Sequence, residues 1–545
     1  VEFFFFDEFN ARFNFVAVSY LLYPHEVFVN IWQSYPVAQV LTGVGILTVG
    51  AMAWAYRPLM RSFETPTRLR QRLAPLLLVI VGIAAAYGSL DMTTGQYSTN
   101  RVANELARNG IYAFFYALFH NDLDYNQYYV TVPEAEARTR VRKLVAQPNA
   151  EFLSDAVNPI ARHISYPGKP KPLNVVLLVQ ESLGADFVGA YGDRRGLTPH
   201  IDALARDGLM FTNLYATGTR TIRGLEAIVA SFPPIPGESI VKRSQSHDIY
   251  TWGTVMRAQG YTPLFFYGGY GTFDHMRPFF AANGFGVVDR VDIPNPAFSN
   301  IWGVSDEDLY RHAIEVFDRQ HASGEHIFAV IMSTSNHKPF TFPPGIPGVA
   351  PQGGGRLAGV RYADYALGRF FDGVRAKPYF DDTLFVVVGD HGARVYGREE
   401  IPMRSYELPL VVYAPKHVRP ARVGTLTSQI DIAPTVLGLL QMSYDSVFFG
   451  RDVLLGDDGR PYALLSHNRD VALYRDQSLV VLGIQQAVAA YRYNKIANDQ
   501  RPVERDAEDV RDAVSLYQIA YDLYRAGRYR LPAARLAQKK QSRME

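Results

Sequence analysis

The chain predicts an α/β domain on a buried, largely parallel sheet, with transmembrane helices ahead of it and a small antiparallel sheet at its end. Three observations carry this. After residue 172, short β-branched or aromatic runs alternate with helical stretches, as in βαβ units covered on both faces. Two apolar segments, residues 36–56 and the shorter 73–90, are long enough to cross a bilayer against a usual need of about 20 residues. Residues 471–493 read as short antiparallel strands, with Gly483 as a turn or bulge.

Composition narrows the field. A chain of 545 residues is too long for one ordinary core, so more than one domain is expected. Lys+Arg 55 against Asp+Glu 53 leaves no basic block to follow a nucleic-acid backbone, which argues against nucleic acid as a partner. The absence of cysteine excludes disulfides, thiol nucleophiles and thiolate metal sites together. Tyr 34 and Phe 33 are high counts, and clusters such as Phe3-Phe4-Phe5-Phe6 and Phe114-Phe115-Tyr116 point to a membrane interface.

Residues 1–35 are expected as an extracytoplasmic aromatic segment, opening as the end of another helix, with further membrane helices upstream of residue 1. Residues 36–90 follow as a transmembrane helical hairpin, the alternative being two buried core helices. The connecting loop holds Arg57, Arg61, Arg68, Arg70 and Arg72, and the positive-inside bias places it in the cytoplasm. Everything beyond about residue 91 then faces outward. Residues 91–170 are juxtamembrane helices and a linker. Between 100 and 120, Val102, Leu106, Ile111, Phe114, Phe115 and Leu118 recur at helical spacing, for a helix on the membrane surface or a packed strut. Pro167-Gly168-Lys169-Pro170-Lys171-Pro172 is a stiff linker that marks the boundary of a catalytic domain spanning 171–460. Residues 461–545 are C-terminal strands and a closing amphipathic helix at 506–526, ending in a basic, frayed tail at 538–543.

Within the catalytic domain the clearest strands are 174–180, 264–267, 327–332, 384–389 and 408–413. Thr198-Pro199 starts a helix that Asp207-Gly208 stops. Ligands of open α/β sheets bind beyond the carboxyl ends of the strands. Four of those ends carry Glu181, Gly268-Gly269, Ser333 to His337, and Asp390-His391-Gly392, so one site is expected there.

A hard divalent cation favours carboxylate oxygens and accepts imidazole, which makes Glu181, Asp390 and His391 a ligand set with one position open for Thr221. Coordination lowers the pKa of a hydroxyl and aims its oxygen, so Thr221 is the candidate nucleophile for phosphoryl transfer. Gly218 allows close backbone approach, and Arg220 and Arg223 are either phosphate-neutralising cations or surface charges. His337, after a central strand, is a candidate phosphate donor or general acid. Each residue has a bland reading: Glu181 as a helix-start carboxylate, Thr221 as a cap, His337 as a loop histidine. Asp390-His391 resists it, because two ionisable groups at a buried strand end are costly without a role. His200, His312 and His467 are assigned no role.

Asn174-Val175-Val176-Leu177-Leu178-Val179-Gln180-Glu181-Ser182, Thr198-Pro199-His200-Ile201-Asp202-Ala203-Leu204, Gly218-Thr219-Arg220-Thr221, Ser335-Asn336-His337 and Gly389-Asp390-His391-Gly392 occur in order over about residues 170–460. Together they resemble the lipoteichoic acid synthase branch of the alkaline phosphatase and sulfatase superfamily. The opening Asp7-Glu8-Phe9-Asn10-Ala11-Arg12-Phe13-Asn14 looks like the outward-facing segment of Gram-negative members. The resemblance implies an alkaline phosphatase-like sandwich in the inner membrane with a periplasmic catalytic domain. It implies one metal, manganese or else magnesium or zinc, on Glu181, Thr221, Asp390 and His391, with His337 on the phosphate. It further implies that Thr221 would attack a phospholipid such as phosphatidylglycerol, release diacylglycerol, and pass phosphoglycerol to a glycan or other hydroxyl acceptor. An open metal face is expected near the bilayer.

One departure affects the head-group pocket. The Gram-positive synthases place a Trp and an Arg where this chain has Asp274 and Met276, within Thr272-Phe273-Asp274-His275-Met276-Arg277. Asp274, Arg277 and Arg223 become the candidate head-group residues, and decoration of a glycan is favoured over polymerisation. A type I sulfatase needs a Cys or Ser that matures to formylglycine, and Thr221 stands at that position. A phosphoethanolamine transferase usually has more zinc ligands and disulfides. A phosphodiesterase using water is the enzymatic rival. A lipid-binding regulatory protein is the non-enzymatic one, and it would be expected to lose a member of the set.

Overall fold

The computed structural model describes residues 2–531 apart from 65–67, 90–93, 99, 120–122, 154–156, 396 and 457–459. The basic segment at 538–543 lies outside the described residues. The chain divides into two compact units, Val1–Leu118 and Phe119–Glu545.

The first unit opens with helices Glu2–Phe9, Phe15–Tyr20 and Pro24–Ser34. Phe5 packs on Phe9 and Phe13 at ring separations of 4.6 and 5.2 Å, in a small cluster with Val16 and Ala17. Arg12 bonds Glu2 at 2.6 Å and, through its backbone N–H, Glu105 at 2.8 Å. Helices Val37–Glu64 and Leu69–Ser89 follow. Both are long and apolar enough to cross a membrane, and neither buries any of its apolar stretch against protein. That exposure fits the spanning reading better than the buried-core-helix alternative. The helix expected across 100–120 is two, Arg101–Ala107 and Gly110–Phe119, because Arg108 takes an extended backbone between them.

The second unit begins near residue 119, earlier than the Pro-rich segment expected as a linker. Tyr125 and Tyr129 are buried and stacked at 5.0 Å, and Gln147 bonds both backbone groups of Asp452. Strands β1 (Ala150–Phe152) and β2 (Arg162–Ile164) pair antiparallel, and the Lys171 N–H donates to Leu440 at 2.8 Å. The proline segment is therefore a strap on the domain surface.

The central sheet comprises β3 (Asn174–Gln180), β4 (Leu209–Tyr215), β5 (Thr262–Tyr267), β6 (Gly286–Val288), β7 (Ile327–Met332), β8 (Thr383–Gly389), β9 (Glu407–Tyr413), β10 (Ala421–Val423) and β11 (Thr427–Ser428). Its order is β10-β4-β9-β8-β3-β7-β5-β6, with β11 beside β4. The sheet is mixed: β9 is antiparallel to both β8 and β4 and runs against all the others. The sequence hides this reversal, because a strand buried on both faces reads as one apolar run in either direction.

Alternation along the strands makes two cores. Val175, Leu177 and Val179 face one, with helices Thr221–Ala230 and Ile432–Leu439. Val176 and Leu178 face the other, with helices Pro199–Asp207, Asp306–Ala322 and Gly355–Arg375. Thr198 and Gly208 bound the first of these, as the sequence predicts. Strand β12 (Tyr444–Ser446) joins β2. The five-stranded antiparallel sheet β13 (Ala463–His467), β14 (Asp470–Arg475), β15 (Ser478–Leu482), β16 (Val488–Asn494) and β17 (Asp499–Pro502) extends either side of the expected block. Gly483 sits in the β15–β16 turn, and helix Ala507–Arg525, capped by Asp506, packs its apolar side into the first core.

Candidate active site

Parallel register brings the site together. Gln180 of β3 is opposite Gly389 of β8, so Glu181 and Asp390 leave adjacent strands side by side. The Ser182 N–H donates to Asp390 Oδ1 at 2.7 Å, and the Ser182 hydroxyl to Glu181 Oε1 at 2.7 Å. Ser333, past the end of β7, accepts the Glu181 N–H at 2.9 Å. Buried Asn336 donates to the carbonyls of Glu181 and Ser182.

Thr221 is the first residue of helix Thr221–Ala230, where backbone N–H groups lack intrahelical acceptors and favour an anion. Its hydroxyl lies 3.3 Å from Glu181 Oε2. Gly224, one turn on, makes this approach possible: a Cβ there would stand 2.3 Å from the carbonyl oxygen of Asp390. Gln429 fastens the same junction, donating to the carbonyls of Gly389 and Asp390 and accepting the Thr217 N–H at 3.0 Å.

His391 Nδ1 lies 2.7 Å from the Gly392 carbonyl oxygen, which makes that nitrogen the donor and leaves Nε2 as the basic one. Nε2 stands 3.4 Å from Asp390 Oδ2 and 3.9 Å from Glu181 Oε1. Ligand atoms of Glu181, Asp390 and His391 all lie within 4.8 Å of one another. Burial pushes the Asp390 carboxyl up to about 7 against the pull of the His391 and Ser182 N–H groups. Burial, and then the Asp390 charge, raises Glu181, while burial lowers His391. Asp390 Oδ2 is buried without a hydrogen bond. Two buried carboxylates, a neutral imidazole and an orphaned oxygen fit a divalent cation, whose charge compensates what burial makes costly.

His337 follows β7, its Nδ1 3.0 Å from the Lys338 carbonyl and its ring 4.2 Å from that of Trp302; its charge reaches Glu181. Asp274 is buried, with Oδ2 3.1 Å from Arg220 and Oδ1 3.2 Å from Lys242. Two expected head-group cations are committed elsewhere. Arg223 is buried beneath its helix, 2.6 Å from Glu226 and bonded to the carbonyls of Ile235 and Gly237. Arg277 pairs with Asp289 at 2.7 Å and with Asp292.

Sequence reasoning placed Ser182, Ser333 and Asn336 in strand-end motifs without giving them a role and missed Gln429, since all four are ordinary polar residues until the strand ends converge. It also missed Lys242 and Arg356. Arg356 donates to the carbonyls of Asn336 and Ala393, tying the two site loops, and its charge acts on His391.

Residues 173–442 match the Sulfatase family. Phosphoglycerol transferase I of Xanthomonas campestris is 26% identical over 318 residues, 55% of this chain and 45% of that protein. Lipoteichoic acid synthase 2 of Bacillus subtilis is 23% identical over 322 residues, 53% of this chain and 48% of that protein. The chain thus spans about half the length of these curated relatives. A crystal structure of a protein in the alkaline phosphatase superfamily from Vibrio parahaemolyticus superposes with a TM-score of 0.71 at 33% identity, covering 75% of this chain and all of that one.

Proposed function

The chain belongs to the alkaline phosphatase superfamily, and from that premise we propose that it is a membrane-anchored, metal-dependent phosphoglycerol transferase. The donor is phosphatidylglycerol, and the acceptor is a hydroxyl on a glycan or another molecule. The observation that carries the reading is the Thr221 hydroxyl at a helix N-terminus, 3.3 Å from Glu181 and beside the Asp390–His391 pair. The name of the Xanthomonas relative supports the transferred group. The positive-inside bias of Arg57 to Arg72 supports an inner-membrane protein with its catalytic unit in the periplasm.

Glu181, Asp390, His391 and Thr221 would hold the metal, with manganese favoured and magnesium or zinc also suited to oxygen and imidazole donors. An ion held by these residues would lower the pKa of the threonine hydroxyl and screen phosphate charge. The chain's own groups do the rest. Thr221 Oγ1 forms a bond to phosphorus, the phosphorus–oxygen bond to diacylglycerol breaks, and the threonine proton goes to the departing oxygen. N–H groups of the helix start face the phosphate oxygens, and His337 donates to one. An acceptor hydroxyl then attacks phosphorus, the bond to Thr221 breaks, and the acceptor's proton returns to Oγ1.

Intact-mass analysis of the protein incubated with manganese and phosphatidylglycerol, beside Thr221→Ala, tests this. A phosphoglycerol adduct and released diacylglycerol, both absent from the variant, are expected. Undiminished diacylglycerol release by Thr221→Ala would overturn the nucleophile. Release from wild type only with water as acceptor would replace transfer by phosphodiester hydrolysis.

A further inference from the structure

Asp274 holds an unusual place beside the nucleophile. Asp274 and His275 both adopt left-handed backbone, at φ 48° and 62°, where residues with a Cβ are strained. That turn buries the Asp274 carboxylate between the guanidinium of Arg220, which directly precedes Thr221, and the ammonium of Lys242, which is 8% exposed. The cluster adjoins the candidate metal ligands: Arg220, 3.1 Å from Asp274, directly precedes Thr221, whose hydroxyl lies 3.3 Å from Glu181. One carboxylate against two cations leaves the three-residue cluster with one net positive charge.

We propose that Lys242, acting through Asp274 and Arg220, selects the donor by head-group charge, accepting the uncharged glycerol of phosphatidylglycerol and rejecting the cationic ethanolamine of phosphatidylethanolamine. This rests on the transferase reading above. An ethanolamine ammonium needs a carboxylate, and each oxygen of Asp274 already meets a cation. The Glu181 and Asp390 carboxylates belong to the candidate metal set. The surplus charge therefore opposes a second ammonium while favouring phosphate oxygens. Without Lys242, Asp274 neutralises Arg220 and the opposition ends. Lys242 is a positioning residue, since it acts on the substrate through the carboxylate it holds.

The test uses the full chain in detergent with manganese, measuring diacylglycerol release from phosphatidylglycerol and from phosphatidylethanolamine. Wild type is expected to favour phosphatidylglycerol by about tenfold or more in kcat/KM, as a like charge in a poorly screened pocket requires. Lys242→Met should erase most of that preference, mainly by lowering KM for phosphatidylethanolamine, and Lys242→Arg should keep it. Lys242→Gln replaces Lys242→Met if the latter does not fold. An unchanged preference in Lys242→Met, or an equal loss in Lys242→Arg, overturns the proposal. Calorimetric binding of glycerol phosphate and phosphoethanolamine to Thr221→Ala protein separates the two readings. If wild type cleaves neither lipid, the transferase reading fails. Charge selection then stands on tighter binding of glycerol phosphate that Lys242→Met abolishes, and equal binding or none overturns it.

Discussion

Gly224→Ala tests whether the close approach of one helix to one strand end sets activity. The added Cβ would stand 2.3 Å from the carbonyl oxygen of Asp390 and 2.9 Å from its carbonyl carbon, both backbone atoms that cannot swing away. Restoring ordinary van der Waals separation requires the helix start to retreat by about 1 Å. That movement carries Thr221, one turn earlier, away from a Glu181 oxygen it now meets at 3.3 Å. A displacement of that size at a reacting atom costs on the order of 100-fold in rate, or about 2.7 kcal/mol of transition-state stabilisation. Alanine's helix propensity offsets part of the strain, by up to about 1 kcal/mol, so the variant should fold. Diacylglycerol release under kcat/KM conditions, beside thermal unfolding of the same sample, reads both quantities. Activity within threefold of wild type would refute the reasoning, as would a loss explained entirely by unfolded protein.

Asp390 predicts a pH dependence with a definite sign. Its folded carboxyl titrates near 7 against an ordinary 3.8, so this group's contribution to metal-free stability is present below about 4 and is lost as pH rises toward 7. Unfolding curves of metal-free wild type should lose stability over that window relative to Asp390→Asn. Conversely, manganese must displace the proton, so its calorimetric affinity should fall by up to about tenfold per unit below pH 7, and a flat profile would refute the assignment. Arg223→Met strands Glu226, 0% exposed, without its ion-pair partner; urea unfolding should show a loss of about 3–5 kcal/mol, largely recovered by adding Glu226→Gln. Gly373→Ala is the contrasting case, since its Cβ would meet only the flexible tip of Ile314 at 2.9 Å; a rise in stability of about 0.5–1 kcal/mol by thermal unfolding is expected.

What was legible in the sequence was local. The runs at 174–180 and 327–332 are strands with the bounds read from the chain, and those at 264–267, 384–389 and 408–413 lengthen by one or two residues at their starts. Because β3, β5, β7 and β8 are parallel neighbours, polar residues just past their ends had to converge. Less legible were β4, whose Thr212-Asn213 interrupts its apolar run at an irregularity in the pairing, and the short edge strands β6, β10 and β11.

By itself the sequence determined the α/β class and the two apolar helices, and it marked Glu181, Thr221, Asp390 and His391 as candidates in order along the chain, since each is announced by the few residues around it. Tertiary structure decided the direction of β9, the start of the second unit near residue 119, and above all the use of the arginines and lysines. Arg220 and Arg223 lie on the same short segment, yet one meets Asp274 beside the candidate nucleophile Thr221 and the other is buried against Glu226. The reason is physical: a strand or a metal ligand is specified by local covalent spacing, whereas a long cationic side chain takes its role from whichever carboxylate the packed fold brings within reach.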